Sequence, residues 1–250
     1  MNTAYRLAGQ SALVTGAARR VGAQIARALH AEGANLMIHC HRSLEQAQRL
    51  AEELNRARSG SAEVLRADLC DLAQLAPLVN HTCDRFGGLN LLINNASSFY
   101  RTPLGSITLE QWQDLMGTNL QAPLFLAQAA APHLRRSRGV LLNIVDIHGM
   151  RPLLEHALYS TAKAGLIMLT RALARELAPE VRVNAIAPGA VLWPESGMDE
   201  QRQQRILRHT PLRRSGSAQD IARTVLFFAA DAPFVTGQIL AVDGGRSVAW

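Results

Sequence analysis

Lysine is almost missing from this chain. Of 26 basic side chains only Lys163 is a lysine, which leaves 25 arginines. Cysteine is scarce as well: Cys40, Cys70 and Cys83 are an odd number with no CxxC spacing. That pattern excludes a disulfide framework and gives no thiolate set for zinc or an iron–sulfur cluster, and it fits a reducing, cytoplasmic compartment. No apolar run approaches the roughly 18–20 residues of a membrane span. The opening MNTAYRLAGQ is too polar for a secretory leader, so a soluble protein with no membrane partner is expected. The net charge of +6 and isoelectric point near 10.0 raise the question of nucleic acid. The arginines are scattered, however, with no basic tail, finger spacing or RNA-binding signature, so no nucleic-acid partner is expected. Small anionic ligands fit the same charge.

What is present is a chain of 250 residues, 48% hydrophobic, long enough for one sizeable core. SALVTG reads as a strand and AARRVGAQIARALHAEG as a helix closing on Gly33. ANLMIHC is a second strand. The helix after it takes Ser43 as its N-cap and carries Leu44, Ala47, Leu50, Ala51 and Leu54 on one face. The alternation continues with SAEVLRADL, a helix over 72–86, LNLLINNAS, and a long helical pattern over 108–134 that Pro123 should kink or break. GVLLNIVD, a helix over 156–178, VRVNAIAPG, a helix over 218–229 and GQILAVDGG complete it. Strand and helix in strict alternation predict an α/β fold: one doubly wound, Rossmann-type parallel sheet of about seven strands with helices on both faces. A single domain spans 1–250, without repeat or linker. The one long irregular stretch, about 188–216 and including Trp193–Pro194–Glu195–Ser196–Gly197, reads as a substrate loop.

Thr15–Gly16–Ala17–Ala18–Arg19–Arg20–Val21–Gly22 lies where the first strand meets the first helix. Small residues there let the backbone approach a pyrophosphate at the helix N-terminus. The three-glycine GxGxxG form is absent, so an ordinary strand-to-helix turn stays open on this segment alone. The second strand narrows the choice. An NAD-selective site places an acid at that strand's C-terminal end, and here the chain reads His39–Cys40–His41–Arg42–Ser43. Arg20 and Arg42 with a serine hydroxyl around one anion favour a 2′-phosphate, hence NADPH, over a solvated basic loop. Asp68, with Leu69 beside it, is placed to accept from an adenine amino group or to cap the next helix. Asn94, Asn95 and Ala96 follow the fourth strand beside the cofactor.

In Tyr159–Ser160–Thr161–Ala162–Lys163 a phenol and the chain's one lysine lie four residues apart on one helical face. A nearby ammonium favours the phenolate, so Lys163 is expected to lower the tyrosine pKa toward a useful range. A surface Tyr–Lys pair is the bland alternative. Against it, a chain that meets its other needs for positive charge with arginine has kept a lysine here.

TGAARRVG, NNAS, the asparagine of TNLQ, and YSTAK together resemble the short-chain dehydrogenase/reductase family over essentially the whole chain. The resemblance implies that Tyr159 and Lys163 are catalytic, that Lys163 also holds the nicotinamide ribose, and that Asn119 holds a proton-relay water. It places Thr15, Gly16, Val21, Gly22, Asn95, Ala96 and the Pro188–Gly189 turn along the cofactor. It also implies a homotetramer packed through 108–134 and 156–178. The family's usual catalytic serine is replaced by Asp146. With the paired arginines, HCHRS, NNASSFY, and IVDIHG followed by RPLLEHALYSTAK, that replacement resembles the pteridine reductases. These reduce dihydropterins, and often dihydrofolate, with NADPH.

That branch assigns Asp146 to catalysis, Arg20 to cofactor phosphate and pterin, and Phe99 to stacking on the pterin. Ser97 falls near the pyrophosphate and the pterin amino group, and His41, Arg42 and Ser43 at the 2′-phosphate. Trp193 is a wall of the substrate pocket, and Trp250 replaces any basic residue at the C-terminal tip. Physical chemistry accommodates the assignment, because a flat ring with several donors and acceptors suits an aromatic face and a carboxylate. An NADPH-dependent carbonyl or 3-ketoacyl reductase is the competing enzyme. A nucleotide-binding regulator without catalysis is the competing class.

Overall fold

The computed structural model describes residues 5–193 and 197–249; Pro194, Glu195, Ser196 and Trp250, singled out above, lie outside them. Seven parallel strands form one sheet in the order β3-β2-β1-β4-β5-β6-β7. They are β1 (Ser11–Val14), β2 (Asn35–Cys40), β3 (Ala62–Arg66), β4 (Leu91–Asn94), β5 (Val140–Ile144), β6 (Arg182–Pro188) and β7 (Ile239–Val242). Side chains alternate across each strand. Ala12, Val14, Leu36, Ile38 and Ile93 therefore pack on one face, while Leu13, Met37, Leu92 and Leu141 pack on the other. Both faces are covered, which is why the central strands read as continuous apolar runs.

The helices are α1 (Arg20–Ala31), α2 (Leu44–Ala57), α3 (Leu75–Phe86), α4 (Leu109–Met116), α5 (Ala122–Ser137), α6 (Ala157–Glu176), α7 (Glu200–Arg208) and α8 (Ala218–Leu226). Ile25 and Leu29 of α1 with Ile221 and Val225 of α8 cover the first face; Leu78 of α3, Leu126 and Leu134 of α5, and Leu173 of α6 cover the second. Strand order reverses direction between β1 and β4, so their carboxyl ends open a crevice at the switch point, where α/β sheets bind ligands. The Rossmann-type architecture expected from the alternation is present. Among the described residues no helix is long and apolar enough to cross a membrane.

Three local expectations differ from the structure. The break in 108–134 precedes Pro123: a π-helical turn, Gly117–Gln121, joins α4 to α5. Pro123 itself sits in the first turn of α5, where a missing N–H costs nothing. The 188–216 stretch is not wholly irregular, because α7 lies within it, with Asp199 accepting the Arg202 N–H as its cap. Only Ile206 and Leu207 of this helix are apolar and neither is fully buried, too little for an apolar repeat to be read from the sequence. Ser43 stands at the start of α2, but its side chain makes no capping bond.

Candidate active site

A cavity of about 930 Å³ occupies the crevice. On its nucleotide side the β1–α1 loop is fixed from behind. Thr15 does not line the cavity. Its hydroxyl accepts the N–H groups of Asn95 (2.9 Å) and Ala96 (3.0 Å), while the Asn95 amide donates back to the Thr15 and Gly16 carbonyls at 2.9 and 3.1 Å. A Cβ on Gly22 would strike the Gly16 carbonyl and come within 2.6 Å of Asn95 Nδ2. Only glycine lets helix and loop close this tightly. The N-terminus of α1 carries no side-chain cap and no acid in its first turn. The dipole of this helix end therefore favours a nearby anion, with no carboxylate competing for it.

Arg20, Val21, Gly22, His41, Arg42, Ser43, Asp68, Leu69 and Ala96 all border the cavity. His41 Nε2 lies 3.9 Å from Asp68 Oδ2, and the other Asp68 oxygen accepts the Cys70 N–H, so this acid serves a turn and faces the basic corner at once. Arg20 adopts φ +54°, a left-handed conformation, and its guanidinium donates to the carbonyls of Leu192 (3.4 Å) and Trp193 (3.1 Å). The basic corner, the uncapped helix and the glycine contact fit the phosphates of a nucleotide.

On the chemical side, β5 and α6 meet. Asp146 follows β5 and caps a short helical turn: its Oδ1 accepts the His148 N–H at 2.8 Å. Its Oδ2 accepts the Tyr159 hydroxyl at 2.7 Å. Lys163, one turn further along α6 and fully buried, donates from Nζ to the Ile144 carbonyl at 3.0 Å and lies 5.7 Å from the Tyr159 ring centre. The electrostatics correct the expectation for the tyrosine. Burial pushes the Tyr159 phenol well above its usual pKa, and the Asp146 charge and hydrogen bond add to that, opposed only by Ser97. Burial lowers Lys163 to about 8, with the Asp146 charge acting in the opposite sense. The phenol therefore stays protonated at neutral pH, the state a proton donor needs.

The loop after β4 closes the cavity. Phe99 is 53% exposed, edge-on to Tyr159 at 4.7 Å and stacked on His156 at 4.8 Å. Ser97 donates from Oγ to Asn119 Oδ1 at 2.7 Å, and Asn119 Nδ2 donates to the Ser98 and Leu115 carbonyls, each at 2.9 Å. Asn119 is buried in the π turn and does not border the cavity. Its side chain is engaged with the loop. Pro188, Gly189, Val191 and Leu192 form the opposite wall. Gly189 is required there, because a Cβ would press on Asp243 at 2.7 Å. Trp193 is not part of that wall and contributes a carbonyl to Arg20 instead.

Sequence reasoning passed over His39. Buried at the end of β2, it accepts the Gly16 N–H at Nδ1 (3.1 Å), which leaves Nε2 as the donor to the Ala67 carbonyl (3.1 Å). Burial lowers its pKa to about 4 and keeps it neutral for that role. The available signal was a polar residue inside an otherwise apolar buried strand. Asp114, His156 and Cys70, also near or lining the site, had no comparable signal.

Comparison with known proteins places these residues in context. A family model described as Enoyl-(Acyl carrier protein) reductase matches residues 16–247. Pteridine reductase 1 of Leishmania tarentolae is 36% identical, covering 95% of this chain and 96% of its own length. The 3-oxoacyl-(acyl-carrier-protein) reductase FabG of Staphylococcus aureus is 35% identical, covering 94% and 97%. Granaticin polyketide synthase putative ketoacyl reductase 2 of Streptomyces violaceoruber is also 35% identical, covering 94% of each chain. With near-complete coverage, a parallel seven-stranded sheet and the Tyr–Lys pair at its crevice, the chain belongs to the short-chain dehydrogenase/reductase family and is an oxidoreductase of that family.

Proposed function

We propose that the protein reduces dihydropterins, of dihydrobiopterin or dihydromonapterin type and extending to dihydrofolate, with NADPH as reductant. One observation carries the reading: a carboxylate, Asp146, accepts the Tyr159 hydroxyl at 2.7 Å where the family usually has a serine. A serine donates a second hydrogen bond to a substrate carbonyl. An ionised carboxylate accepts only, and so favours a substrate that brings N–H groups of its own. The exposed Phe99 face beside Tyr159 supports a flat ring.

The nucleotide would be held by the N–H groups of the α1 N-terminus, by Arg20, and by His41, Arg42 and Ser43 at its 2′-phosphate; Lys163 would hold the nicotinamide ribose. Bound NADPH supplies the hydride, which reaches C6 of the substrate's C=N bond. Tyr159 gives its proton to N5. Asp146, locked by the His148 N–H, orients the phenol and presents an acceptor to the substrate. Lys163 fixes the floor beneath the phenol. The start of the 188–216 stretch, with Val191 and Leu192 on the cavity wall, would line the pocket of the pterin side chain, and copies of the chain assemble as a tetramer through α4, α5 and α6.

The 35% identity to ketoacyl reductases favours a second reading, reduction of a 3-ketoacyl thioester. Loss of reduced-nicotinamide absorbance decides between them, with dihydrobiopterin, dihydromonapterin, dihydrofolate and a 3-ketoacyl thioester as substrates. Turnover of the pterins well above the thioester is expected. Turnover of the thioester with none of the pterins overturns the proposal, and binding of NADPH without any turnover points to a regulator.

A further inference from the structure

Phe99 lies on an irregular loop, yet its ring must keep one orientation if it is to act on a substrate. The residues on either side of it explain how. Ser98 donates from Oγ to Asp114 Oδ1 at 2.9 Å, and the Tyr100 phenol engages the same carboxylate; burial first, and then this hydrogen bond and charge, raise its pKa to about 12. One acid on α4 thus engages the residue before Phe99 and the residue after it. Asn119, in the following π turn, accepts from Ser97 and donates to the Ser98 carbonyl. The base is rigid. Leu115, next to Asp114, is buried against Leu158 and Tyr159 of α6, and α4 begins with a reciprocal capping box between Thr108 and Gln111.

A helical acid is ordinarily solvated. Asp114 is instead partly buried and borders the cavity. With the residues flanking Phe99 tied to α4, the ring stands edge-on to Tyr159, stacked on His156 and half exposed at the cavity. A carboxylate satisfied by protein hydroxyls also presents less unpaired charge to a bound ring.

We infer that Asp114 is a positioning residue for substrate selection: by engaging Ser98 and Tyr100 it holds Phe99 as a fixed platform for a flat heterocycle beside Tyr159. This rests on the pterin reading for the identity of the ring. The loop geometry is independent of it. A stacked substrate depends on Phe99, whereas an acyl chain has no planar face to place there.

The test uses the full chain with Asp114→Ala, Asp114→Asn, Phe99→Ala and the Asp114→Ala/Phe99→Ala double variant. Asp114→Ala should raise KM for dihydrobiopterin about tenfold, the scale of one hydrogen bond to a charged group, while kcat and NADPH affinity, followed by nicotinamide fluorescence, change little. Asp114→Asn keeps an acceptor and should recover part of the KM. In the Phe99→Ala background the Asp114 substitution should add almost nothing, because its effect passes through the ring. Ultraviolet titration needs no substrate: Tyr100 should move from about 12 toward the ordinary tyrosine value when Asp114 becomes Asn or Ala. Full additivity of the two substitutions on KM overturns the inference, as does an unmoved tyrosine titration. If the wild-type protein turns over no pterin, the pterin reading fails; the titration then judges the loop contact, and the same cycle on whatever substrate is turned over judges the platform.

Discussion

On the nucleotide side of the cavity the backbone of the β1–α1 loop is fixed by hydrogen bonds of Thr15, Asn95 and His39, with Arg20, His41, Arg42 and Ser43 bordering the cavity beside it. On the chemical side the working groups are side chains held by other side chains. Tyr159 leans on Asp146, Ser97 on Asn119, and Ser98 on Asp114. A backbone cradle reads the shape and charge of phosphates and is indifferent to what is reduced. A web of side chains sets proton positions and changes character with one substitution, as Asp146 in place of serine illustrates. Relatives with different substrates can therefore share one half and differ in the other.

The comparison breaks most visibly at Tyr159. Tyr159→Phe removes the proposed proton donor and should lower turnover by about 10²–10⁴-fold, leaving NADPH affinity nearly intact in a fluorescence titration. An equal loss of both would mean that the halves are not separable. Gly22→Ala attacks the other half. The added Cβ has no room beside Asn95 Nδ2, so the dissociation constant for NADPH should rise about tenfold or more, the equivalent of roughly 1.4 kcal/mol, with kcat at saturating cofactor much less affected. Unchanged cofactor affinity would show that the loop yields.

The smallest effect concerns Lys163, held to about 8 against 10.5 for an exposed lysine. A depressed lysine pKa means that, between about pH 8 and 10.5, the unfolded chain binds more protons than the folded one, so stability rises with pH through that window. Lys163→Met should remove this contribution. The variant should melt a few degrees higher than wild type near neutral pH, with the gap closing toward pH 10. A gap independent of pH would exclude the burial argument.

The fold was legible because its signals are local and repeated: apolar runs for strands buried on both faces, helical periodicity between them, and glycines at Gly16 and Gly22 where a Cβ has no room. Much of the candidate site was legible too, since Tyr159 and Lys163 share a helical face and Asp146 stands out against a known pattern. What escaped depends on distance in space. Burial and a carboxylate thirteen residues away, rather than the lysine four residues away, govern the Tyr159 phenol. Asp114 meets Ser98 across a gap of sixteen residues, and no spacing rule links an acid in one helix to the loop that precedes it. Helix α7 escaped for a different reason, because its only apolar residues are the adjacent Ile206 and Leu207, which make no repeat.

The π turn Gly117–Gln121 bears on how this site can change over time. A π turn holds one residue more than the α-helix around it would accommodate. Asp114 lies before it and Asn119 within it, and their facing the same loop depends on that extra residue. Losing one residue of the turn after Asn119 would restore regular α pairing and leave Asp114 and Asn119, five positions apart, roughly 140° apart around the helix. Descendants of this sequence can therefore retune the substrate side by exchanging one residue for another, but a change in length at this point would dismantle it in a single step.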